Sequence, residues 1–129
     1  MKISCIVPAY NEAKRISNVI HILVDHPLID EVIVVNDAST DSTQKIIEKI
    51  SGITLINHEV NRGKTQAVMT GVKKSKNNLI VLIDSDLIGL SKEAITNLIL
   101  PVVNNKSDMT ISLRKNALSI YKMMGIDPR

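Results

Sequence analysis

Five short runs rich in isoleucine and valine, each followed by polar residues or a segment of helical periodicity, leave this chain few ways to fold. They are ISCIV (residues 3–7), EVIVV (31–35), ITLI (53–56), LIVLI (79–83) and MTISL (109–113). Continuous β-branched runs, unlike alternating ones, belong to strands covered on both faces. The first intervening segment places Ala13, Ile16, Val19, Ile20, Leu23 and Val24 at steps of three and four, with Asn11 as its expected N-cap. The second carries Ile46, Ile47 and Ile50, starts from a cap at Thr40 or Asp41 and stops before Gly52. The third, from about Gly63 to Lys74, buries Ala67, Val68, Gly71 and Val72. The fourth is capped by Ser91, carries Ala94, Ile95, Leu98 and Ile99, and is expected to end or kink at Pro101.

Strand alternating with helix defines an α/β fold: a doubly wound, mostly parallel sheet with helices on both faces. The 129 residues suit one domain, residues 1–129, with about five strands and no linker or repeat. Sixteen basic against 13 acidic side chains, a net charge of +3, is too even a balance for a nucleic-acid surface, and two aromatics, Tyr10 and Tyr121, offer little for base stacking along a strand. Cys5 is the single cysteine and sits in an apolar run, which predicts an inert core thiol and a reducing compartment. No run reaches the roughly 20 apolar residues of a membrane span, so the expected location is cytoplasmic, at most peripheral to a membrane.

In a doubly wound sheet, ligands bind beyond the carboxyl ends of the strands. Here those ends read PAYNE (8–12), NDASTDST (36–43), HEVNRGKT (58–65) and DSD (84–86). Asp84 and Asp86, two apart in extended backbone, project to the same side and repel unless a proton or a cation intervenes. A hard ion, Mg2+ or Mn2+, with phosphate oxygens completing its shell, resolves that repulsion; the simpler reading is a solvated strand end. Asn36 and Asp37 leave the second strand at the same edge. A carboxylate there can accept from a nucleobase N–H, but Asp, Ser and Thr also build ordinary turns and caps. Arg62 and Lys64, at a helix start, attract an anion such as a diphosphate or are simply solvated. A Walker loop needs glycine where His58 stands, which disfavours a P-loop-like NTPase. His21, His26 and His58 share no metal-ligand spacing and are expected at the surface or in caps.

IVPAYNEAKRI, VIVVNDASTDST, NRGKTQAVMTGV and LIVLIDSDL, in this order across residues 3–87, resemble the successive motifs of family 2 glycosyltransferases with the GT-A fold. The resemblance implies a metal-dependent, inverting transfer of a sugar from a UDP- or GDP-linked donor to an acceptor hydroxyl, the acceptor being a lipid or a glycan. It assigns Pro8, Ala9, Tyr10 and Glu12 to the nucleoside pocket and Asp37 to reading the base. Arg62 and Lys64 fall near the base or diphosphate, Asp84 and Ser85 near the nucleotide sugar. Asp84 and Asp86 match the metal-binding Asp-X-Asp motif, with Asp86 the direct ligand. Asn36 and Ala38 depart from the family, which usually has aspartate and glycine there. The family's general base and most of its acceptor pocket lie beyond the metal motif. Asp108 and Asp127, the last acids of the chain, sit in no recognisable acceptor motif, so the chain is expected to be the donor-binding half with no assigned catalytic base. A homo-oligomer is expected from the apolar surface such a half leaves open. The competing readings are a non-catalytic nucleotide-binding or interaction module, an NTPase, and a nucleotidyltransferase, which lacks its glycine-rich first loop here.

Overall fold

The computed structural model describes residues 2–87, 89–104, 109–111 and 119–122. Its order is β1 (Ile3–Ala9), α1 (Ile16–Val24), β2 (Glu31–Asn36), α2 (Thr43–Glu48), β3 (Thr54–Asn57), α3 (Lys64–Lys74), β4 (Leu79–Leu82), α4 (Lys92–Val103), β5 (Met109–Ile111) and β6 (Ser119–Lys122). These strands form one sheet in the order β3-β2-β1-β4-β6-β5. β1, β2, β3 and β4 run parallel, while β6 pairs antiparallel with both β4 and β5.

The α/β doubly wound expectation therefore holds, with one correction at its edge. β6 had no counterpart among the apolar runs, because SIYK is short and half polar, and it separates β5 from β4. Asp108, Asp127 and the last two residues of MTISL lie outside the described residues.

Period-two alternation sorts the strands onto two faces. Cys5, Val7, Val32, Val34, Val81 and Ile83 meet Ile16, Ile20 and Leu23 of α1, Ile47 of α2, and Ile95 and Ile99 of α4. On the opposite face Ile6, Ile33, Val35 and Ile80 pack with Ala67 of α3. Each large aliphatic side chain so buried contributes about 1.5–3 kcal/mol before the entropic cost of ordering it. Burial pushes the Cys5 thiol far above its ordinary range, as an inert core cysteine requires. α3 lies almost against the sheet: a Cβ on Gly71 would stand 2.5 Å from Ile6 Cγ2. That close approach brings the start of α3 to the carboxyl edge of β1 and β2.

Helix boundaries differ from expectation at three places. Asn11 does not cap α1, which starts at Ile16 after a turn closed by the Glu12 carbonyl accepting from the N–H groups of Arg15 and Ile16. Ser42 is the N-cap of α2, although the Asp41 carboxylate still accepts from the Thr43 N–H. Pro101 does not end α4: it sits in the last turn, and the helix reaches Val103. Ser91 caps α4 as expected, its Oγ accepting from the Ala94 N–H at 3.1 Å. No helix among the described residues is long and apolar enough to cross a membrane.

Candidate functional site

β1 pairs with β2 as far as Ala9↔Asn36 but with β4 only as far as Ile6↔Leu82. Strand order reverses between β1 and β4, so β2 and β4 lead away on opposite sides and a crevice opens where the β1–β4 ladder stops. Pro8 stands at that opening, where its missing N–H deprives no neighbour of a bond. The cavity there holds about 390 Å³ and is lined by Pro8, Ala9, Tyr10, Glu12, Asp37, Asn61, Gly63, Lys64, Ala67, Asp84, Ser85 and Asp86. Nine of the ten residues singled out from the sequence thus meet around one space. Arg62 is the exception: its side chain is exposed and does not line the cavity.

The first loop is fixed by the second. Asn11 adopts φ 52°, a left-handed conformation that asparagine tolerates. Its Oδ1 accepts from the Thr40 N–H at 2.8 Å, its own N–H donates to Ser39 Oγ at 3.0 Å, and the Glu12 N–H donates to Thr43 Oγ1 at 3.0 Å. Much of NDASTDST therefore clamps the loop that carries Tyr10 and Glu12. Ala38 has φ 61°, which explains structurally why glycine suits this position. Asn36 is buried, donating to Asn57 Oδ1 and accepting from Ser39 Oγ.

Asp37 is 3% exposed and bonded on both oxygens. Its Oδ1 accepts from the Arg62 N–H at 2.8 Å and faces His58 Nδ1 at 2.8 Å; its Oδ2 accepts from the Gly63 N–H at 2.9 Å. Burial raises the carboxyl pKa, but the bonds from Arg62, His58 and Gly63 outweigh it and hold the group below the ordinary aspartate value. Because Arg62 and Gly63 commit their N–H groups to Asp37, this loop does not present those donors to a phosphate, and the P-loop reading fails here.

His58 is the residue that sequence reasoning missed. Its side chain is 6% exposed and bridges Asp37 to Thr70 Oγ1, the latter at 2.8 Å from Nε2. The signal lay in the strand register: parallel pairing of Asn36 with Asn57 sets the next residues, Asp37 and His58, side by side. His26 is buried and caps the turn after α1, one of the two expected roles, its Nδ1 accepting from the Leu28 N–H at 3.1 Å and its Nε2 lying 2.9 Å from Thr96 Oγ1 on α4. Only His21 is exposed as expected.

Asp84 and Asp86, both half-buried, follow β4 on the other side of the crevice. Asp84 Oδ1 pairs with Lys64 Nζ at 2.5 Å, with the lysine side chain 66% exposed and the aspartate 27%. A pair that open to water is worth about 0–1 kcal/mol. Glu12 lies close enough to feel Asp86: burial first, and then the Asp86 charge, raise its carboxyl pKa above the ordinary value. No group of three or more His, Cys, Asp or Glu able to hold a metal occurs among the described residues. Two carboxylates alone suit a hard ion that takes its remaining oxygen ligands from water and phosphate, not a zinc site closed by protein.

A parallel core with its crevice at the strand reversal, and carboxylates on either side, fits the GT-A glycosyltransferase fold that the motif resemblance implies. A mannosyltransferase from Pyrobaculum calidifontis, solved in complex with GDP-Man and Mn2+, superposes with a TM-score of 0.82 over 94% of this chain and 44% of that one, and at 20% identity shows the fold alone. Glucosyl-3-phosphoglycerate synthase from Mycobacterium tuberculosis, in complex with Mn2+, UDP and phosphoglyceric acid, is 30% identical with a TM-score of 0.69, covering 78% of this chain and 38% of that one. The UDP-N-acetylglucosamine–dolichyl-phosphate N-acetylglucosaminyltransferase of Methanococcus voltae is 30% identical over 139 residues, 92% of this chain. The chain spans 54% of that relative's length. The family model described as "Glycosyl transferase family 2" matches residues 4–118. The chain belongs to glycosyltransferase family 2.

Proposed function

We propose that this chain binds a UDP- or GDP-linked sugar together with Mg2+ or Mn2+ and forms the donor side of an inverting sugar transfer to an acceptor hydroxyl. The observation that carries this reading is the crevice itself, with Tyr10 and Asp37 on one side and Asp84, Ser85 and Asp86 on the other. Tyr10 is 47% exposed beside the cavity, which leaves a ring face free to stack on a base. Asp37 accepts three donors from its own chain, and a carboxylate has room for about four. The remaining lone pair suits an N–H of uracil or guanine, and His58 keeps the carboxylate oriented for it.

Asp86, with Asp84 beside it, would hold the ion against the diphosphate. A bound Mg2+ or Mn2+ would offset the charge that collects on the departing diphosphate, as a Lewis acid does. In the transfer the anomeric carbon forms a bond to the acceptor oxygen as its bond to the diphosphate breaks, and the acceptor proton passes to a base that we assign to no residue here. Complexes of a related synthase with Mn2+ and UDP support the donor and metal, while the acceptors of the relatives differ, a dolichyl phosphate being named for one and phosphoglyceric acid bound in the other. Asp86→Ala is expected to abolish metal-dependent nucleotide binding; unchanged affinity removes the metal assignment.

A further inference from the structure

The walls of the crevice carry four carboxylates, Glu12, Asp37, Asp84 and Asp86, against one ammonium, that of Lys64. Asp37 is compensated from within by two backbone N–H groups and His58. The other three acids leave a field that repels a bare diphosphate. Lys64 is the first residue of α3, held by a flexible four-carbon stem, and its ammonium pairs with an oxygen of Asp84, one of the two carboxylates that would hold a divalent ion. One oxygen edge cannot face both cations at close range, because they repel each other.

We propose that Lys64 is a displaceable counter-cation: it neutralises Asp84 while the metal is away, yields the carboxylate when the ion arrives with the donor, and then turns to the diphosphate. This rests on the metal reading of Asp84 and Asp86 given above. The lysine can make the exchange because its pair is open to water, with 66% of its side chain exposed, and little is lost when it swings. The consequence is coupling between ligands. Metal alone must evict the lysine with nothing to receive it, whereas metal with a diphosphate gives the ammonium a new partner, so each ligand tightens the other by the same factor.

The test measures binding of MnCl2 alone to the full chain, from the free-ion paramagnetic resonance signal, and then repeats it with UDP or GDP. Lys64→Met is expected to bind Mn2+ about three- to tenfold more tightly than the wild type without nucleotide, since the competing charge is gone. With nucleotide present it is expected to lose most of the enhancement that the wild type shows. Lys64→Arg, which keeps the charge, should follow the wild type. A lysine that merely supports the helix would change neither quantity in opposite directions. Mn2+ bound equally, or more weakly, by Lys64→Met overturns the exchange and leaves the metal assignment standing. Mn2+ bound by neither protein, or bound with an affinity that Asp86→Ala does not change, overturns the metal assignment and the exchange with it.

Discussion

Two acidic positions on one sheet edge are held in opposite ways. Asp37, beyond β2, is buried, and both its oxygens are engaged by the 58–63 loop. Asp84 and Asp86, beyond β4, are half-buried, and their one ion pair among the described residues is the exposed Lys64. A carboxylate supplied with donors by its own chain fixes geometry; carboxylates held close without such donors have affinity left for a cation from outside. The same residue type is therefore anchored by its own chain at one strand end and left open to a cation at the next.

The largest expected effect breaks the comparison directly. Asp37→Ala leaves two part-buried N–H groups and the largely buried His58 side chain without their acceptor, and should cost about 3–5 kcal/mol of stability in urea unfolding. Asp86→Ala should stay within about 0.5 kcal/mol of the wild type, since it removes repulsion and no protein partner. Equal losses in the two variants would erase the distinction.

A second, smaller effect follows from the lowered Asp37 pKa. A carboxyl whose pKa is depressed on folding adds stability that is fully present above the unfolded value and lost as pH falls through the folded one. Unfolding followed from neutral pH into acid should therefore show the wild type losing stability below about pH 4. Asp37→Asn, already less stable, should show a shallower slope. The smallest effect sharpens the comparison on the scaffold side. Ala38→Gly relieves a left-handed alanine and should raise stability by about 0.5–1 kcal/mol, read as a higher urea midpoint, with no change in metal binding.

The strands and the crevice were legible because they depend on patterns that survive in one dimension. Unbroken isoleucine and valine runs mark doubly covered strands, and residues that follow parallel strands must gather at one edge. What was not legible depends on pairing between segments. His58 gains its role only when Asn57 is set beside Asn36, and the sequence by itself does not say which strands are neighbours. Asn11 looked like a helix cap, since its side chain can bond to either loop, and tertiary structure gave it to Thr40. Arg62 looked like an anion ligand through its side chain, yet its backbone N–H makes the contact that matters to the site. β6 escaped notice because four residues, SIYK, carry too little periodicity to stand out without the edge of β4 they pair with.

Isothermal titration of UDP and of GDP, each with and without Mn2+, tests the central claim most directly. The account predicts binding of one diphosphate only when Mn2+ is present. Binding that is indifferent to the ion, or no binding of either nucleotide, would contradict it.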